Sequence, residues 1–502
     1  MLTEYRQRFS QFQSELAREE CRFFSGQNAQ PDTAHLWSEN SDLMTPTVIA
    51  ELRQALADLS ESRETERAAV QRLIAFAIES RLTASVRELD AEIARAESRP
   101  TLRWQDETIS LHEAWHRLSS EADRQHRREL WSRLGAAIKS MQDLHAERLE
   151  KLHDAARAAG FENYLALRHE LRGLDDNHLA AQAAALLAAT ESRYVTALAF
   201  ILPRDAGVSL ESATRADIGY LSRLPRFDEY FPAWRRREVY AETFRGLGIR
   251  TWQQANITID DAPRPRKPAR PCCAPVQIPD DIRLSLKPGQ GWHDYPMLLN
   301  AAGRAQQFAW TSRNLLPEFQ RIGDGAVTEA WATLFQLLLH DEKWLMASLG
   351  FADSREFRHT LAVHRLLRVR REAARLIYEV ELHADKLTGS AGARYAELLS
   401  DAVRVRYDET EHLRDLSDGI QPADGLRAWA FEAQLREYLK SKFGSRWWAS
   451  RKAGEMLIDL WNTGLRYSAD QMAAMIGLAR CRLTGWPPNC WSRCNSNHDR
   501  SN

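Results

Sequence analysis

Apolar residues recur at three- and four-residue spacing through most of the chain, and that spacing predicts helices. Val70, Leu73, Ile74, Ala77 and Ile78 make one stripe, which Val86, Leu89 and Ile93 continue until Pro100 interrupts it. Leu130, Leu134, Ile138, Met141 and Leu144 make a second, and Gly160, directly after the run AARAA, is a helix stop. The Arg, Glu and Asp residues between the stripes read as solvated faces. Ser209–Leu247 continues the pattern with breaks at Pro225 and Pro232. Helices resume at Pro296. Val363, Leu366, Leu367, Ala373, Ala374, Ile377 and Val380 form another buried stripe. Trp429, Phe431, Leu435 and Trp461 are core candidates in Ala428–Phe443 and Lys452–Leu465, and Tyr467–Asp470 caps a last short helix through Met475. No short-period repeat is present.

The texture changes in one place. Thr251–Asp260 carries β-branched residues, and the following APRPRKPARP holds four prolines, which no continuous helix tolerates. Ala274–Ile278 and Ile282–Leu286 are short alternating runs. Together Ile257–Leu286 predicts a small sheet or hairpin set into a helical protein. The basic residues Arg264, Arg266, Lys267 and Arg270 lack interleaved aromatic residues and read as a solvated loop.

Composition narrows the function classes. The 502 residues carry 68 Lys and Arg against 69 Asp and Glu, a net charge of -1. So even a balance creates no global field for nucleic acid or an acidic membrane. Ala180–Leu202 is the most membrane-like stretch, but Glu191 and Arg193 interrupt it, and the N-terminus lacks the apolar core of a signal peptide. Six cysteines do not make a disulfide framework in a chain of this length. With a mean hydropathy of -0.50, the expectation is a soluble cytoplasmic protein without membrane or nucleic-acid partners.

Candidate chemistry concentrates in Gly291–Trp310, GWHDYPMLLNAAGRAQQFAW. Asn300-Ala301-Ala302-Gly303-Arg304 lies there, followed by Ala305 and Phe308. Upstream runs CAPVQIPDDIRLSLKPGQGWHDY, and downstream GDGAVTEAWATLFQLLLHDEKWL brings Glu329, 329 − 300 = 29 residues after Asn300. These stretches resemble the thimet oligopeptidase and oligopeptidase F superfamily of gluzincin metallopeptidases, whose motif often reads HEAGHA. The likeness covers roughly Phe200–Leu478, and the helical N-terminal part more loosely. It implies a mostly α, zincin-like fold: two helical halves around a deep cleft, with a small β element near 256–286. Residues 1–200 would form one cleft wall, 201–478 the peptidase-like region and 479–502 an irregular tail.

In that superfamily two histidines one helical turn apart and a distant glutamate hold zinc, and a glutamate beside the first histidine takes a proton from the metal-bound water. Here Asn300 and Arg304 stand at the histidine positions, Ala301 at the general base, and only Glu329 survives. A guanidinium cannot ligate, so zinc, the cofactor of the resembled family, is not expected. Arg304 instead offers Glu329 a counter-charge, an ion pair in place of a metal cross-link. The segment matching the family's oxyanion-steadying tyrosines, Ser417–Trp429, has no tyrosine.

His293, Asp294 and His340 are the candidates for replacement ligands; His364 and His383 read as satisfied helix histidines, and Glu318 and Glu342 as surface carboxylates. Cys272-Cys273 reads as packing. Gly289-Gln290-Gly291 is too weak a signal for a nucleotide. Cys481, Cys490, Cys494 and His498 do not have the spacing of a zinc ribbon or finger. There is no nucleophile elbow and no phosphate loop. The reading is a catalytically inactive oligopeptidase relative that still binds peptides in its cleft. The alternatives are an active zinc oligopeptidase with atypical ligands, and a helical scaffold without a ligand.

Overall fold

The stripe from Val70 to Ile93 lies along one 35-residue helix, Glu64–Ser98, that ends just before Pro100. It belongs to a computed structural model that describes residues 1–287, 289 and 291–483. Cys490, Cys494 and His498, and with them most of the 479–502 tail, lie outside the described residues, as does Gln290. Among the described residues the fold is helical with two small sheets. The chain divides into two compact units, one of Met1–Ser80, Pro225–Arg358 and the described residues from Arg427, the other of Arg81–Leu224 and His359–Leu426. The units are interleaved along the chain, whereas the regions implied by the resemblance, 1–200, 201–478 and 479–502, follow one another.

The first unit is built on α1 (Leu2–Phe24), β1 (Ile257–Asp260), β2 (Cys272–Gln277), β3 (Asp281–Ser285), α2 (Asp294–Trp310), α3 (Gly325–Gln336) and α4 (Arg451–Asn462). The strand order is β1-β3-β2, parallel between β1 and β3 and antiparallel between β3 and β2. Alternation sorts the residues of β2 onto opposite faces. Cys272, Ala274 and Val276 pack against Ala17, Cys21 and Phe24 of α1. Cys273, with Ile282 and Leu284 of β3, packs against Ala301, Ala305 and Ala309 of α2. Phe431, Leu435 and Trp461 are fully buried, as their spacing predicts.

The basic loop departs from expectation at one residue. Lys267 is buried, and its ammonium donates to the Asp260 carbonyl (2.7 Å), the Asp260 carboxylate (3.1 Å) and the Ala262 carbonyl (3.2 Å). A proline-rich connection cannot satisfy its own carbonyls by regular pairing, and a buried ammonium does it instead. Glu318 is likewise not a surface carboxylate. It is fully buried and receives Arg6 of α1 at 2.8 Å.

In the second unit Leu130, Leu134 and Ile138, on the helix Arg124–Lys139, join a core with Leu102, Trp104 and Ile109. Leu102–Trp104 and Glu107–Ile109 form an antiparallel hairpin that the hydrophobic pattern does not predict, since three-residue strands are too short to show alternation. Asp176–Ala206 is one helix, long and apolar enough to cross a membrane by length and composition alone. It buries Leu179, Ala183, Leu186, Tyr194 and Leu198 within its unit, and its Glu191 receives the Arg404 guanidinium at 2.6 Å. We therefore read it as a core helix. Arg127 and Asp217 form a fully buried ion pair at 3.1 Å. Arg127 also donates to the carbonyls of Glu121, Ala122 and Ala206.

Candidate functional site

α2 tolerates Pro296 because its missing N–H falls in the first turn. α3 is started by Asp324, whose carboxylate accepts the Ala326 N–H at 3.1 Å and a two-pronged contact from Arg427 at 2.7 and 2.6 Å. Burial works to raise the Asp324 carboxyl, but the Arg427 guanidinium together with the Ala469 and Ala326 N–H groups outweighs it and holds the group below the usual carboxylate range. The start of the helix that carries Glu329 is thus pinned as a carboxylate.

The two helices cross in backbone contact. A Cβ at Gly303 would lie 2.3 Å from the Trp331 carbonyl oxygen and 3.0 Å from the Ala332 Cα, so no residue but glycine fits there. Gly303→Ala must push α2 and α3 apart. It is expected to lower unfolding stability by about 1–3 kcal/mol, as overpacking does, measured by denaturant titration. A neutral result would show that the crossing is loose.

This crossing brings Asn300, Arg304 and Glu329 together. One Arg304 terminal nitrogen bonds Glu329 Oε2. Arg304 Nε donates to Asn300 Oδ1 at 3.4 Å, and Asn300 Nδ2 donates to Gln336 Oε1 at 2.9 Å. The pair is part-exposed, with 35% of the Arg304 and 27% of the Glu329 side-chain surface open. The chain of bonds links two residues of α2 to two of α3. Gln336 is the member that no motif marks, although it lies seven residues after Glu329, two turns along the same helical face. Ala301 is buried in the apolar layer against β2 and β3. Burial pushes the neighbouring Cys273 thiol up to about 12, while Arg304 pulls it down, so Cys273 stays a protonated packing residue at neutral pH.

The donor set does not fit zinc. It offers one amide, one guanidinium and a single carboxylate already engaged by that guanidinium. Among the described residues no group of three or more His, Cys, Asp or Glu residues could hold a metal. The candidate replacement ligands do not gather here. His293 precedes α2 at its cap, the Asp294 carboxylate binds Arg236 and the Gly289 N–H, and His340 ends the turn after α3.

His383 and the opening of Ser417–Trp429 lie in the second unit. Ser417 donates to the buried Glu379 carboxyl at 2.9 Å rather than presenting an oxyanion donor. Burial raises Glu379 to about 8, against the lowering effects of Arg375 and Ser417. One turn later His383 is buried and meets His153 at 2.9 Å; burial first and His153 second push it down to about 3. These shifts bend stability in opposite senses. Glu379 keeps a proton that the unfolded chain loses, so its contribution is whole below about 4.5 and declines as pH rises to about 8. His383 refuses a proton that the unfolded chain accepts, so its contribution is whole above about 6.5 and declines as pH falls toward 3. Glu379→Gln should remove a downward slope of about 1.4 kcal/mol per pH unit, and His383→Gln an upward slope of like size. Urea unfolding across pH 4–8 checks both; unchanged slopes would show that neither proton is withheld.

No family model and no curated protein matches the sequence. Solved structures do. PZ peptidase A with inhibitor 2 matches with a TM-score of 0.65 and 13% identity, over 93% of this chain and 87% of that one. A protein described as an oligoendopeptidase F from Bacillus anthracis str. Ames matches with a TM-score of 0.62 and 12% identity, over 92% and 85%. At such identities the likeness speaks for the architecture, which is also the expectation drawn from the sequence. The chain shares the fold of these two peptidases.

Proposed function

We propose that this protein is a catalytically inactive oligopeptidase relative that holds peptides without hydrolysing them, acting in the cytoplasm. The observation that carries the reading is the Arg304–Glu329 ion pair. The last carboxylate of the resembled metal site is engaged by a cation that cannot activate water. The Ala301 position adds to it, since a methyl group packed against the sheet offers no base. The loss of catalytic groups removes turnover; it does not by itself remove a peptide-binding surface.

Two measurements on the purified full chain test the proposal. Metal analysis should find no stoichiometric zinc, and quenched peptides should remain uncut; zinc with chelator-sensitive cleavage would instead establish an active enzyme with atypical ligands. A library of unstructured peptides passed over immobilised protein should be retained selectively. No retention would leave a helical scaffold.

A further inference from the structure

The second unit holds a concave site with no part in the Arg304–Glu329 arrangement. It encloses about 260 Å³ and is walled by three stretches of chain: Arg128 and Trp131 on the helix Arg124–Lys139, the turn at Thr214, and the segment Arg406–Asp408. Two of these walls are stitched together. The Arg406 N–H donates to the Ala213 carbonyl at 3.1 Å, and the Arg215 N–H to the Arg406 carbonyl at 2.9 Å. The indole of Trp131 is fixed as well. Its N–H donates to Asp408 at 3.2 Å, its ring meets Trp115 edge-on at 5.6 Å, and the Arg215 guanidinium lies 5.4 Å from it.

The polar groups of the site divide sharply. The Thr214 N–H and hydroxyl both donate to Asp217, and Asp408 accepts from Trp131 and from the Thr410 N–H. Neighbouring arginines are also engaged: Arg124 with the Ser212 carbonyl, Arg127 with Asp217, Arg133 with Glu129 and Arg404 with Glu191. Arg128 and Arg406 differ. Among the described residues neither side chain forms an ion pair or hydrogen bond, and both are exposed at this cavity. Two uncommitted guanidinia therefore reach one cavity from different elements, beside a rigid aromatic wall, against the single charge of Asp408.

Guanidinium groups match oxyanions in shape and charge, and an indole favours a flat apolar partner. The cavity is slightly smaller than the usual small-molecule site, with room for one ring and one anionic group. We infer that this site binds a small aromatic oxyanion, an aryl phosphate or an aromatic carboxylate, with Arg128 and Arg406 on the oxygens and Trp131 against the ring.

Calorimetric titration of the full chain with phenyl phosphate, benzoate and inorganic phosphate tests this. One-to-one saturation by phenyl phosphate or by benzoate is expected, and the tighter of the two names the anionic group. Arg128→Gln/Arg406→Gln should weaken it by about tenfold or more for each guanidinium removed. Both residues are exposed, so the melting profile should not change. Trp131→Leu should weaken phenyl phosphate while leaving inorganic phosphate nearly unaffected. The assignment fails if neither aromatic anion saturates, or if the double arginine variant binds them as well as the parent does. Equal binding of phenyl and inorganic phosphate would overturn the role given to Trp131.

Discussion

Replacing Asn300 and Arg304 together with histidine is expected to create a site that binds one zinc ion. The two positions are one turn apart on α2, and Glu329 faces them from α3. Removing Arg304 also frees the Glu329 carboxylate that it engages. Two imidazoles and a carboxylate make a three-ligand site with an open fourth position. With zinc at roughly a thousandfold above its dissociation constant, the folded state should gain about 4 kcal/mol. Metal analysis after dialysis and a zinc-dependent rise in melting temperature are the readouts; a variant that melts identically with and without zinc would show that the backbone has drifted. Adding Ala301→Glu, the full restoration, should help less than the motif suggests. Ala301 is packed against Ile282 and Leu284, so a carboxylate placed there loses solvation before it meets any metal. Hydrolysis is not expected from the triple variant, because Ser417–Trp429, which the resemblance matches to the family's oxyanion-steadying tyrosines, has none.

The largest loss of stability is expected at Arg127. Its side chain and that of Asp217 are both fully buried, and the guanidinium satisfies three backbone carbonyls besides the carboxylate. Arg127→Met removes every one of those donors and leaves a buried charge alone, which costs about 3–5 kcal/mol. Asp217 would keep the Thr214 N–H and hydroxyl, so the helix Arg215–Leu221 retains its cap. Adding Asp217→Leu should recover part of the loss, since an apolar pair often replaces a buried ion pair at little cost, though it sacrifices that cap. Denaturant unfolding followed by limited proteolysis measures both variants. A loss under 1 kcal/mol for Arg127→Met would mean that water reaches Asp217 in solution.

What is legible in the sequence is what repeats or what cannot be chemically mistaken. Long stripes such as Val70–Ile93 predict their helix because each turn repeats the signal. Arg304 excludes a metal ligand wherever it lies, because no environment in a protein strips its proton. Pairings between distant segments are less accessible. Lys267 looks like any basic loop residue, and its burial depends on carbonyls at Asp260 and Ala262 that only the folded turn brings together. Glu318 is drawn inside by Arg6, 312 residues away. The hairpin at Leu102–Ile109 has too few residues per strand for a period to emerge. Arg128 and Arg406 stand out only once their neighbours' partners are known.

The interleaving of the first unit sets an order on synthesis. At Ser80 the ribosome has made only its opening stretch, and the last begins at Arg427, 427 − 80 = 347 residues later. At roughly 5–20 residues per second that interval is roughly 20 to 70 seconds. Within the opening stretch Phe9, Phe12, Trp37 and Phe76 already meet ring to ring, so a local nucleus can form at once. The side of α1 carrying Ala17, Cys21 and Phe24 must wait for β2, made some two hundred and fifty residues downstream. Until then the nascent chain carries an uncovered apolar strip on α1, the kind of surface that chaperones shield and that a stalled ribosome would leave open to aggregation.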